Sequence, residues 1–86
     1  MNVKFALSAW QQYLEWQAEN PKIWAKINEL IKESARTPYT GIGKPEPLKH
    51  DFAGCWSRRI TEEHRLVYRF SRAEIEIIRC RGHYQD

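Results

Sequence analysis

The sequence predicts an α+β fold in which a two-helix hairpin packs on one face of a twisted antiparallel sheet, in the order β-α-α-β-β-β-β. Three observations carry this. Apolar residues recur at helical spacing between Ser8 and Arg36. From Cys55 onward they fall into short alternating runs instead. The gaps between those runs, Thr61-Glu62-Glu63 and Ser71-Arg72-Ala73, are the size of tight turns. With 86 residues there is room for one core, so residues 1–86 are expected to form a single domain.

Asn2 to Ala6 alternates polar and apolar at Val3 and Phe5 and reads as a short strand. Ser8-Ala9-Trp10-Gln11 has the form of a capping box, which starts a first helix at Ser8. Trp10, Tyr13, Leu14 and Gln17 share its face, and it runs to about Ala18. Asn20-Pro21 restarts the chain as a second helix: Asn20 is a good cap, and Pro21 has the φ of a first helical turn. Its stripe is Ile23, Ile27, Leu30, Ile31 and Ser34, and Thr37-Pro38 ends it near Arg36.

Tyr39 to Glu46 is a Gly/Pro-rich loop, with Glu46 stiffened between Pro45 and Pro47. Leu48 to His50 reads as a short strand and Asp51 to Gly54 as a turn. Three strands follow at Cys55–Ile60, His64–Phe70 and Glu74–Tyr84.

Net charge is +3, mildly basic, and from Arg58 onward every Lys/Arg cation is Arg. Arginine offers a planar fork suited to phosphate and stacks on bases. Cys55 and Cys80 are the only cysteines and lack metal-site spacing, so neither a metal nor another cofactor is expected. No P-loop, dinucleotide fingerprint or HExxH is present. The N-terminal stretch is too short for a signal peptide or membrane span, which points to a soluble, cytoplasmic protein.

Side chains alternate faces along a strand, so parity sorts them. The even series holds Trp56, Ile60, Leu66, Tyr68, Phe70, Ile78 and Cys80, and is expected to pack on the helices. The odd series holds Ser57, Arg59, Arg65, Arg69, Arg79, Arg81 and His83, together with the apolar Val67, Ile75 and Ile77, so that face is not purely polar. If Arg59 faces Arg65 across the first hairpin and Arg65 faces Arg81 across the second, one face collects arginines. Like charges placed opposite each other destabilise a sheet unless an anion offsets them, which favours a phosphate site over a merely solvated face.

One acid, Glu46, falls among these cations and Lys44, Lys49 and Arg58. A base, an imidazole and several guanidiniums are the parts needed to cut RNA without a metal. The bland readings are an exposed loop acid for Glu46 and a surface histidine for His83. His50 competes with His83, while the parity of His64 turns it away from the arginines. Tyr84 beside His83 is suited to stacking on a base. Trp10, Tyr13, Trp16 and Trp24 read as packing or interface residues.

Several blocks of the chain resemble the YoeB toxins of bacterial toxin–antitoxin systems, within the RelE-like superfamily with its microbial-RNase-like fold. They are Lys26-Ile27-Asn28-Glu29-Leu30-Ile31-Lys32, the run from Gly43 to Lys49, the run from Trp56 to Tyr68, and His83-Tyr84. The resemblance implies a ribosome-dependent endoribonuclease that cleaves mRNA in the A site and halts translation. It implies Glu46 as general base, Arg65 as transition-state stabiliser and His83 as general acid, with Lys49, Arg59 and Tyr84 in support. It also implies a YefM-like antitoxin whose disordered tail folds over the site. DNA would be contacted only through that antitoxin. Members are often dimeric, which the aromatics of the first helical region would allow. The rival class is a non-catalytic basic module of the same fold, binding RNA or directed at gyrase.

Overall fold

The computed structural model describes residues 1–83. Its elements are β1 (Asn2–Phe5), α1 (Leu7–Glu19), α2 (Pro21–Arg36), β2 (Glu46–Pro47), β3 (Trp56–Arg59), β4 (Arg65–Phe70) and β5 (Glu74–Arg79), with a single 3-10 turn at His50–Phe52. The five strands form one sheet in the order β1-β5-β4-β3-β2. Pairs β2–β3, β3–β4 and β4–β5 are antiparallel, as expected. The N-terminal strand adds a parallel pair, β1 on β5.

The first helix begins without the cap assigned to Ser8. Ala6 is the capping residue and no side chain caps the helix. The start is set by the sheet: Ala6 N–H donates to Ile77 O at 2.9 Å, and Trp10 N–H donates to Ala6 O at 2.9 Å. The chain therefore passes from sheet edge to helix within one residue, and Ser8 lies already inside α1. The second helix starts as its sequence predicts, with the Asn20 side chain accepting from Ile23 N–H at 3.3 Å and Pro21 as its first residue.

The core lies between the helices and the sheet. Ala9 and Trp16 of α1 and Ile27, Leu30 and Ile31 of α2 meet Ile60, Leu66, Tyr68, Ile75, Ile77 and Cys80. Parity fails in one strand, and a β-bulge is the reason. Val67 pairs with Arg79 but Tyr68 pairs with Ile77, so Ile78 is an extra residue in β5. Ile75 and Ile77, odd-numbered, thus turn to the helices, and Ile78, even-numbered, turns to the other face. There it joins a small cluster of Leu48, Cys55, Val67 and Phe52. Cys80 and Cys55, both free thiols, belong to these separate clusters. Burial pushes the Cys80 thiol up to about 12, so it stays protonated and inert at neutral pH.

Arg58 departs most from its sequence reading. It is not part of a phosphate-facing cluster: its exposure is 0%. Its Nε donates to the Tyr68 hydroxyl at 3.1 Å and its Nη1 to Ile42 O at 2.9 Å. Its Nη2 donates to Thr40 O at 2.8 Å and to Thr37 O. Tyr68 in turn donates to Pro38 O at 2.8 Å. Tyr39 is set edge-on against Trp56 and Phe70, at 5.1 and 5.0 Å between ring centroids. The loop after α2 thus closes onto β3 and β4 through its own carbonyls. Gly43 completes the closure: at φ +82, a side chain there would meet Leu30 Cδ2 at 2.9 Å and Arg58 Cβ at 3.0 Å.

Two outcomes are expected. Arg58→Ala leaves three loop carbonyls without their partner, at roughly 1–3 kcal/mol for each group that stays dry. A loss of about 3 kcal/mol or more should appear as a lowered urea midpoint, and a loss under about 1 kcal/mol would refute the clamp. Glu33 tests the α2 end of the same loop. The Thr37 hydroxyl bonded to it lowers its pKa from the ordinary 4.5, burial opposes, and Arg36 and Arg58 lower it further. The unfolded state therefore binds the proton more readily, and the Glu33 contribution is present above pH 4.5 and lost as pH falls through the lowered native value. Thermal melts of wild type and Glu33→Gln should differ at neutral pH and converge in acid.

Candidate functional site

The face of the sheet away from the helices carries Glu46, Arg59, Arg65 and Arg79. Residues directly opposite in a ladder share a face. Glu46 pairs with Ser57, Ser57 with Val67 and Val67 with Arg79, which makes one row across β2, β3, β4 and β5. Two residues further along β3, Arg59 pairs with Arg65, the register expected from the three-residue turn gap. From strand spacing and rise, the Glu46 and Arg65 backbones stand roughly 12 Å apart on the diagonal.

Glu46 lies in β2, not in the preceding loop, and is exposed. Two residues in the left-handed region flank its strand, Lys44 at φ 52 and His50 at φ 53. They bend the chain on either side of it. Arg59 N–H donates to Gly43 O at 2.7 Å, so the backbone leading to Glu46 is tied directly to β3. Lys49 is exposed at the start of the 3-10 turn, and His50 is exposed within it.

Arg65 is half-buried and its Nη1 donates to the turn carbonyls of Thr61, Glu62 and His64, at 2.6, 3.0 and 3.2 Å. Part of the repulsion between Arg59 and Arg65 is therefore offset by the turn itself. Neither arginine makes an ion pair among the described residues. Arg69 pairs instead with Glu76 at 2.7 Å, toward the opposite end of the strand.

Among the described residues, 80–83 do not continue the last strand. β5 ends at Arg79, and His83 is exposed after a glycine at φ +87. Gly82 O accepts from Arg65 N–H at 3.1 Å, which sets His83 next to the start of β4. The expected position of Arg81 opposite Arg65 is corrected: Arg81 turns to α1. Its guanidinium lies 4.3 Å over the Trp16 ring and pairs with Glu15 at 3.2 Å and Glu19 at 2.7 Å. The attraction of two carboxylates and an aromatic face outweighs strand parity once the strand has ended. Tyr84 lies outside the described residues.

Sequence reasoning read Trp16 as a packing or interface residue and turned His64 away from the arginines, and gave neither a part in the site. Trp16 Nε1 donates to Cys80 O at 2.9 Å, and His64 Nδ1 accepts from Gly82 N–H at 2.8 Å. No local signal marks these contacts, because the first joins residues 64 apart and the second joins residues 18 apart. Among the described residues, no group of three or more His, Cys, Asp or Glu could hold a metal ion. No helix of the described residues is long and apolar enough to cross a membrane.

This arrangement of Glu46, paired arginines and a C-terminal histidine sits in a chain whose relatives are close. A family model for the YoeB-like toxin of bacterial type II toxin–antitoxin systems matches residues 5–84. Toxin YoeB of Escherichia coli K12 is 54% identical over 84 residues, 98% of this chain and all of that one. The YoeB/ParE toxin from Agrobacterium tumefaciens is 52% identical, with a TM-score of 0.94 over 98% of this chain and all of that one. The toxin chain in a heterotetrameric YoeB–YefM complex from Staphylococcus aureus is 44% identical, with a TM-score of 0.90 over 98% of both chains. On fold and on sequence across nearly its whole length, the chain belongs to the YoeB-like toxins of bacterial type II toxin–antitoxin systems.

Proposed function

We propose that this toxin is an endoribonuclease that cuts mRNA in the ribosomal A site by general acid–base chemistry and so inhibits translation. The observation that carries the reading is the shared corner of the sheet: Glu46 one row from the Arg59–Arg65 pair, and His83 beside Arg65 through Gly82. A single unit spanning residues 1–86 would hold the whole site.

Glu46 takes the proton from a ribose 2′-hydroxyl, and the oxygen attacks the adjacent phosphorus in line. The bond to the 5′-oxygen breaks, and His83 protonates that leaving oxygen. Arg65, with Lys49 and Arg59, stabilises the negative charge growing on the phosphoryl oxygens. Tyr84 stacks on a neighbouring base. The products are a 2′,3′-cyclic phosphate and a 5′-hydroxyl. No step calls for a metal, and DNA lacks the attacking hydroxyl. The mild net charge of +3 suits a toxin whose substrate is delivered by the ribosome, since it gives only modest affinity for RNA alone.

The natural inhibitor would be a YefM-like antitoxin that covers the cationic corner. The relative crystallised with YefM supports this. Promoter DNA would be reached only through that partner. Trp10 and Leu14 are exposed on α1, at 43% and 42%, and would serve a homodimer.

Two outcomes test the reading. In translating extracts, primer extension on the mRNA should show sharp new 5′ ends at codon positions, with a cyclic phosphate on the upstream fragment. Substituting a 2′-deoxy nucleotide at the cut should abolish them. Smooth full-length extension would favour a binder that does not cut. Glu46→Gln and His83→Gln should each lower the cleavage rate by about 10²–10⁴-fold, and Arg65→Ala by about 10²–10³-fold. Arg72→Ala, exposed in the β4–β5 turn, should cut like wild type. Wild-type rates in all three site variants would discard the mechanism.

A further inference from the structure

We propose that His64 is a positioning residue for His83: its neutral imidazole holds the Gly82 N–H and thereby fixes the segment that presents His83 to the substrate. The inference rests on the reading of His83 as the proton donor. It concerns a residue with no contact to the reacting atoms.

The segment after β5 is anchored one residue at a time. Cys80 N–H donates to Gln12 Oε1 at 2.8 Å, and its carbonyl accepts from Trp16 Nε1 at 2.9 Å. Arg81 is held by Trp16, Glu15 and Glu19. Gly82 is gripped at both backbone polar groups, its N–H by His64 Nδ1 at 2.8 Å and its carbonyl by Arg65 N–H at 3.1 Å. At φ +87 it lies where the chain turns most freely, so these two bonds are what stop it from swivelling. His83 comes next. Its backbone leaves Gly82 in a direction that the grip on Gly82 decides.

The imidazole of His64 is suited to this and is itself braced. Trp16 packs edge-on against it, at 4.8 Å between centroids. The backbone N–H of His64 donates to the Thr61 hydroxyl at 3.2 Å, which fixes the chain that carries the ring. Nδ1 accepts a hydrogen bond, so it carries a lone pair and the ring proton sits on Nε2. One aromatic, Trp16, thus supports both the ring that grips Gly82 and the chain that leads to it. A general acid must be held to within a fraction of an ångström, and a displacement of about 1 Å costs on the order of 10²-fold in rate.

The test compares His64→Leu and His64→Asn in the full-length toxin. Leucine keeps apolar bulk against Trp16 and offers no acceptor. Asparagine branches at Cγ as histidine does, so its amide oxygen can stand where Nδ1 stands. On ribosomes programmed with mRNA, His64→Leu should lower kcat about 10- to 100-fold with KM nearly unchanged. His64→Asn should recover most of the lost rate. Independently of activity, NMR should show a 15N–15N coupling across the bond from Gly82 to His64 Nδ1 and slow exchange of the Gly82 amide. In His64→Leu that exchange should become fast while the rest of the sheet stays protected.

A folded His64→Leu with wild-type kcat would overturn the proposal, as would His64→Asn no better than His64→Leu, or a Gly82 amide with no coupling to the ring. If His64→Leu fails to fold, the wild-type coupling and the kcat of His64→Asn decide the matter in the same terms. A fully active His83→Gln would overturn the catalytic reading and this role with it. An inactive His83→Gln beside a fully active, folded His64→Leu overturns this role alone.

Discussion

The buried guanidinium of Arg58 is the interaction on which the rest of the structure depends. A charge withdrawn from water is stable only when its donors are occupied. Here they meet the carbonyls of Thr37, Thr40 and Ile42 and the Tyr68 hydroxyl. The need is mutual. The loop between α2 and β2 makes no helix and no ladder of its own before Glu46, so its carbonyls require partners from elsewhere. Arg58 supplies them and fixes the path of the chain into β2. The ladder position of Glu46 opposite Ser57 follows from that path.

A sheet with helices on one face leaves the other available, and here that face is divided. Toward one end, Leu48, Cys55, Val67, Phe52 and Ile78 form a second small apolar cluster. Toward the other, the Arg59–Arg65 pair begins. The bulge in β5 makes this division workable. It lets Ile75 and Ile77 fill the main core, while Ile78 and Arg79 serve the opposite face. Without the extra residue, a strand rich in isoleucine would have to expose apolar surface or bury arginine.

The C-terminal segment shows a different economy. After β5 there is no ladder to hold residues 80–83 along their length. Side chains of α1, the His64 ring and the first residue of β4 take over, through Gln12, Trp16, Glu15, Glu19, His64 and Arg65. Residues 80–82 are thereby bound to the helix that lies behind the sheet and to the start of β4, without a ladder.

The local parts were legible in the sequence. Helical spacing marked α1 and α2, Asn20-Pro21 marked the break between them, and turn-sized gaps marked the hairpins, because each signal acts over a few residues. The Arg59–Arg65 register was legible too, since a short turn leaves little freedom. The blocks around Glu46 and Arg65 carried the family resemblance. Tertiary structure alone decided the rest. Arg58 and Arg59 are adjacent and alike, yet one is buried and the other exposed, because only the three-dimensional fold puts a ring of carbonyls beside one of them. Parity misplaced Ile75, Ile77 and Ile78 because a bulge is a property of two strands fitted together. It misplaced Arg81 because Glu15 and Glu19 lie more than sixty residues away along the chain. Alternation is set by the backbone of one strand, whereas burial and charge pairing are set by whatever the fold brings alongside it.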